Sequence, residues 1–113
     1  MEDAAMTSYP KRTEYRNPKL LKAAKGQECT VQVPGVCIGG TETTVAAHSP
    51  FGEDGKGMGQ KADDCFIAFA CSACHDWLDG RGKKITSDYD RDAYFNRGVK
   101  RTLRNLLERG ILK

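Results

Sequence analysis

The chain has 113 residues, 39% of them hydrophobic and 29% charged, and a formal net charge of +3. That length allows one domain and excludes two with separate cores, while the modest apolar content predicts a fold needing some further tie. No run approaches the roughly 18 apolar residues of a bilayer span, and the first residues lack the basic and apolar regions of a secretory leader, so a cytoplasmic protein with no membrane contact is expected.

Residues 1–16 mix polar and charged side chains without periodicity and read as a flexible arm, leaving 17–113 as a single domain. Asn17 is placed to cap a first helix, with Pro18 at its first position, Lys19 to Lys25 as its body and Gly26 as its stop. From Cys29 to Cys37, polar and β-branched residues alternate up to Pro34-Gly35, which predicts a strand ending in a type II turn. Thr43–His48 reads as a second strand, followed from Ser49 to Ala62 by a glycine-rich stretch expected to be a long flexible loop. The apolar run Cys65–Ala70 predicts a strand paired with the one ending at His48. Cys71–Asp79 suits a helix stopped by Gly80 and Gly82, which completes the order ββα. A last helix is expected from near Ser87, with Asp90 closing an approximate capping box, to Gly110. Val99, Leu103, Leu106 and Leu107 would share one face and Lys100, Arg101, Arg104 and Arg109 the other, with Gly98 as a weak point.

Five cysteines in a reducing compartment point to metal ligation or reactive thiols before disulfides. Cys71-x-x-Cys74 at a helix start can grip one tetrahedral ion, and Cys29 and Cys37 can complete a four-thiolate structural zinc site of treble-clef type. A Cys-x-x-Cys redox pair would sit in a thioredoxin-like βαβ pattern, which is absent. Cys65 is left as a small buried side chain. Four thiolates and one zinc ion would take the formal charge to about +1, so the charge distribution matters more than its sum. Residues 1–25 carry six basic and three acidic groups, 97–113 six and one, and 26–96 six and eleven. Basic flanks around an acidic centre suit phosphate handling at a site that also holds a cation.

The two histidines, His48 and His75, fall at the end of one expected strand and the start of the helix that follows the next, positions that face each other in a ββα unit. Phosphodiester hydrolysis needs a base to deprotonate water and a cation to stabilise the phosphorane. His48 would be the base and His75 a metal ligand, with Asp64 and Asp79 as candidate carboxylate ligands to magnesium or manganese. The residues alone leave other readings open: His48 could cap its strand or replace a cysteine on zinc, and His75 could serve only as a hydrogen-bonding group.

Cys71-Ser-Ala-Cys74-His75 after a short strand, with a histidine ending the strand before, resembles the HNH nuclease superfamily. Lys22–Arg81 more specifically resembles the YbcO-type family of prophage proteins named as nucleases, through Gly26-Gln-Glu-Cys29, Val33-Pro-Gly-Val-Cys37, Ala47-His48 and Ala70-Cys-Ser-Ala-Cys-His-Asp76. The resemblance implies an α+β fold, a small zinc-bound ββα-metal domain with flanking helices. It also implies a role in recombination or DNA processing, with DNA and a RecA-type recombinase as partners. It matches His48 to the general base and His75 to the last metal ligand. Asp64 is nearest in place to the middle asparagine of the motif, and Ala47 stands where many members have an acidic ligand. The resulting expectation is a metal-dependent DNA endonuclease. The rival is a non-catalytic zinc module that binds nucleic acid or a recombination protein, with Arg97, Lys100, Arg101 and Arg104 on phosphates.

Overall fold

The computed structural model describes residues 14–57, 59–81 and 88–112. Helix α1 spans Pro18–Lys22, capped where the Asn17 side chain accepts the Lys19 N–H at 3.2 Å, and the chain leaves it through Gly26 at φ +77. Strands β1 (Val45–His48) and β2 (Ile67–Ala70) pair antiparallel, with Val45 opposite Ala70 and His48 opposite Ile67. Helix α2 (Ser72–Leu78) follows at once and stops at Gly80, φ +81. Helix α3 runs unbroken over Asp88–Glu108. The expected cap at Ser87 and residues 1–13 of the expected arm lie outside the described residues.

Alternation along the two strands divides the core. Ala47, Ala68 and Ala70 face the cysteines, Val31, Val33, Trp77 and Phe95. Ala46, Ile67 and Phe69 face Leu20, Ala23, Ala24 and Leu106. Helix α3 contributes to both clusters because it lies along the free edge of β2. At that edge the Phe69 N–H donates to Thr102 Oγ1 at 3.0 Å, and the Phe69 carbonyl accepts from both the Thr30 N–H (2.8 Å) and the Thr30 hydroxyl (2.9 Å). The two threonine hydroxyls lie 3.0 Å apart. Two threonines thus satisfy an edge that would otherwise invite a third strand.

Three expectations are corrected. Cys29–Cys37 is not a strand, because Gln32 adopts φ +50 and breaks the alternation so that its N–H can reach Cys29 Sγ at 3.4 Å. The turn at its end does form: Gly35 sits at φ +75, and the Val36 and Cys37 N–H groups both donate to the Val33 carbonyl. Residues 49–57 and 59–62 are built rather than loose. A single 3₁₀ turn, Gly52–Asp54, is held by the Ser49 hydroxyl on Asp54 Oδ2 at 2.5 Å, and Phe51 packs edge-on to Phe95 with ring centroids 6.0 Å apart. Residues 14–16 belong to the fold, since the Asp64 N–H donates to the Tyr15 carbonyl at 3.0 Å and Arg16 bonds the carbonyls of Lys61 and Ala62.

The buried face of α3 also differs from expectation. It is Phe95, Gly98, Thr102 and Leu106, while Leu103 and Leu107 stay 37% and 53% exposed. Gly98 marks the closest approach: a Cβ there would lie 3.0 Å from both Ala68 Cβ and Val31 Cγ2. The helix ends in a Schellman motif, with Gly110 at φ +73, its N–H on the Leu107 carbonyl, and the Ile111 N–H on that of Leu106.

Candidate metal centre and histidine sites

The Sγ atoms of Cys29, Cys37, Cys71 and Cys74 all lie within 4.8 Å of one another. A tetrahedral zinc ion with Zn–S bonds of about 2.3 Å needs sulfurs about 3.8 Å apart, and Cys37 and Cys71 are separated by 3.9 Å. No described cysteine is in a disulfide. Backbone donors are already aimed at the sulfurs, Gln32 N–H at Cys29 and Cys74 N–H at Cys71 (3.5 Å), the latter at the N-terminus of α2, where negative charge is favoured.

The ionisation of the group fits a cation. The Cys29 thiol is pushed down to about 4, chiefly by its hydrogen bond with Cys74, and Cys74 is pushed up by the same contact and then by burial. Burial, followed by the charge on Cys29, raises Cys37. Crowded in this way, the four sulfurs favour one thiolate at the expense of its neighbours, and holding all of them ionised requires positive charge in their midst. The four cysteines can therefore hold a metal ion such as zinc. Among the described residues they are the one group of three or more His, Cys, Asp or Glu side chains close enough to do so.

His48 closes β1 with its Nε2 2.9 Å from Asp64 Oδ1, the two side chains 17% and 4% exposed. Asp64 is surrounded by donors. Its Oδ2 accepts the Asn17 N–H at 2.7 Å, and Arg16 lies 3.4 Å from Oδ1. Burial would raise its pKa, but the bonds from His48 and Asn17 and the nearby charge of Arg16 outweigh it and hold the carboxyl below the usual range. An ionised Asp64 can only accept, so the imidazole donates through Nε2–H, and in its neutral form Nδ1 is the acceptor nitrogen.

His75 and Asp79 form a separate pair one helical turn apart, Nε2 to Oδ2 3.7 Å, both partly exposed. Asp79 also accepts from Arg81 at 3.0 Å. No hydrogen bond or ion pair among the described residues joins this pair to His48 and Asp64. The reason lies in the strand alternation. His48 shares the α1 face with Ala46, whereas α2 packs through Cys74, Trp77 and Leu78 against the face that carries Ala47. The histidines expected to face each other thus have separate carboxylates, and both Asp64 oxygens are occupied by donors from the protein.

The basic face of α3 has structural work. Arg97 donates to the carbonyls of Val31 and Gln32 at 2.5 and 2.9 Å, Arg101 to the Thr30 carbonyl (3.3 Å) and Gln32 Oε1 (2.9 Å), and Arg109 to the Ala23 carbonyl (2.9 Å). These arginines clamp the cysteine-bearing loop and α1 onto the helix. Sequence reasoning missed Arg16 and Asn17 as partners of the histidine site, since nothing in their local pattern signals a carboxylate 47 or 48 residues away.

Hairpin, following helix and four converging thiols define a small α+β protein whose four cysteines could hold a metal ion. The profile of the family described as "Putative nuclease YbcO" matches residues 18–111, and the chain belongs to that family. It is 40% identical over 94 residues to "Putative nuclease YbcO" of Escherichia coli (strain K12), and equally to the protein of that name in Enterobacteria phage 82; each alignment covers 83% of this chain and 96% of the relative. A solved structure described as that of a putative bacteriophage protein from Escherichia coli K-12 superposes with a TM-score of 0.63 at 36% identity, covering 80% of this chain and 99% of the other.

Proposed function

We propose that this protein is a DNA endonuclease of the HNH class, with His48 as general base, Asp64 as the residue that orients it, and the four cysteines as a structural zinc site. The observation that carries the reading is the 2.9 Å contact between His48 and a carboxylate held ionised by its surroundings. An imidazole fixed in one tautomer with a free Nδ1 can take a proton from the water that attacks phosphorus. The imidazolium that results is stabilised by Asp64. As the new P–O bond forms, the P–O3′ bond breaks and the leaving 3′ oxygen takes a proton from solvent, so that products would carry 5′-phosphate and 3′-hydroxyl ends. Zinc on Cys29, Cys37, Cys71 and Cys74 would supply folding free energy and no chemistry on substrate.

The residues expected to hold magnesium or manganese do not assemble as a set, because Asp64 is engaged by three donors and His75 with Asp79 stands apart.

The test is cleavage of plasmid and single-stranded DNA by the zinc-loaded protein, with magnesium, with manganese and with neither, beside the His48→Ala variant. Cutting by the parent that is lost in His48→Ala, with zinc content and DNA binding retained, is the expected result. Equal cutting by the variant would overturn the assignment of the base. DNA binding without cutting under any condition would favour the non-catalytic module, a reading weakened by Arg97 and Arg101 being held on backbone carbonyls.

A further inference from the structure

Two clefts flank α3, and they differ in charge. The cleft beside the cysteine loop, about 440 Å³, is lined by Arg101 and Arg104 but also by Glu28 and Glu108, so its charges cancel. The other, about 510 Å³, lies between α1 and the end of α3; Lys19, Lys22, Ala23, Gly110 and Ile111 line it, two cations with no carboxylate. Helix α1 turns Leu20, Ala23 and Ala24 inward and leaves Lys19 and Lys22, with Lys25 just beyond, exposed. None of the three lysines has an ion-pair partner among the described residues, and the first turn of the helix holds no acidic residue. Each step from one lysine to the next rises about 4.5 Å along a helical path. The same helix begins on the histidine site, because the N–H of its cap residue Asn17 donates to Asp64 Oδ2.

We propose that Lys19, Lys22 and Lys25 form the ridge that grips the phosphate backbone of DNA and feeds the strand to His48 and Asp64. The proposal rests on the nuclease reading for its direction and on the unpaired cations for its substance. Arg97 and Arg101, two of the three α3 arginines that sequence alone would assign to phosphates, are fixed on carbonyls, whereas these lysines, without ion-pair partners among the described residues, have ammonium groups that can displace condensed counterions. Helix α1 then couples grip to chemistry, since its first N–H holds the carboxylate that holds the base.

Binding is measured with a short fluorescein-labelled DNA duplex over a range of salt, in zinc-loaded full-length protein carrying His48→Ala so that no strand is cut. Each phosphate contact contributes about 0.9 to the slope of log affinity against log salt. Replacing all three lysines by glutamine should lower the slope by about 2 to 3 and weaken binding at least about ten-fold at low salt. Lys100→Gln with Arg104→Gln should change the slope by less. Circular dichroism and zinc content check that both variants fold. A slope unchanged in the α1 variant, or one set by Lys100 and Arg104, overturns the ridge, as does an absence of salt-dependent duplex binding by the intact protein. None of these outcomes decides whether His48 is the base, which the cleavage assay measures separately.

Discussion

At the scale of single residues, the histidine site is organised by Asp64, a carboxylate 4% exposed with donors on both oxygens. Replacing it by asparagine keeps an acceptor for one donor and sets an amide against another. The loss should be about 1–3 kcal/mol at pH 7, read from urea unfolding. The folded carboxyl is shifted below its ordinary 3.8, so the stability it contributes is fully present above that value and is lost as pH falls through the folded value. The penalty of Asp64→Asn should therefore be the same at pH 7 and pH 5; a penalty already shrinking over that interval would mean that the carboxyl titrates high. The four cysteines were legible from spacing and helix position, and His48 from its place at a strand end. The partnership of Asp64 with Asn17 and Arg16 was not, because it links positions separated by 47 and 48 residues. His75 and His48 pair with separate carboxylates: a strand residue's face depends on parity, and Ala47 rather than His48 is turned toward α2.

At the scale of elements, α3 is the part whose existence was clear and whose orientation was not. Its leucines suggested the inward face, yet Thr102 is the residue turned to β2, since an unpaired strand edge needs a donor and an acceptor more than another methyl group. Gly98, read in the sequence as a weakness, is instead where helix and strand meet. Gly98→Ala would gain about 0.8–1.0 kcal/mol of helix propensity. It would also drive a Cβ to 3.0 Å from Ala68 and Val31, neither of which has exposed surface into which to relax. Overpacking of this kind costs about 1–3 kcal/mol. The net expectation is a melting temperature lower by several degrees, roughly 4–8 °C per kcal/mol for a domain of this size; a rise in melting temperature would show that β2 and the cysteine loop can yield. Turns, caps and the hairpin were legible because their signals are local: Asn17-Pro18, Pro34-Gly35 and Gly110 each act within a few residues. The cysteine loop carries a strand's signal because alternation looks the same whether residues alternate across a sheet or wrap around a cluster of thiols.

At the scale of the whole molecule, the four-cysteine cluster and the core are one object. Cys29, Cys71 and Cys74 are buried in the same cluster as Val31, Trp77 and Phe95, and the loop from Cys29 to Cys37 is tied to the rest of the fold by Thr30 on the Phe69 carbonyl, by Val31 and Val33 in the core, by Arg97 and Arg101, and by its two sulfurs beside those of Cys71 and Cys74. Structural zinc sites of this kind supply about 10–16 kcal/mol in small peptides, as large as the whole stability of a typical domain, about 5–15 kcal/mol. Chelation should therefore unfold this protein rather than loosen it. The single tryptophan makes the event visible, for Trp77 is 5% exposed and packs edge-on to Tyr94 at 5.9 Å. Titrating a zinc chelator into the zinc-loaded protein should shift Trp77 emission to the red and abolish the cooperative thermal transition together, and added zinc should restore both. Cys71→Ser, which also disturbs the start of α2, should show the same spectrum without chelator. A chelated protein that kept its blue emission and its transition would mean that Arg97, Arg101 and the two threonines at the β2 edge hold the fold by themselves, and the four thiols would then need a purpose other than structure.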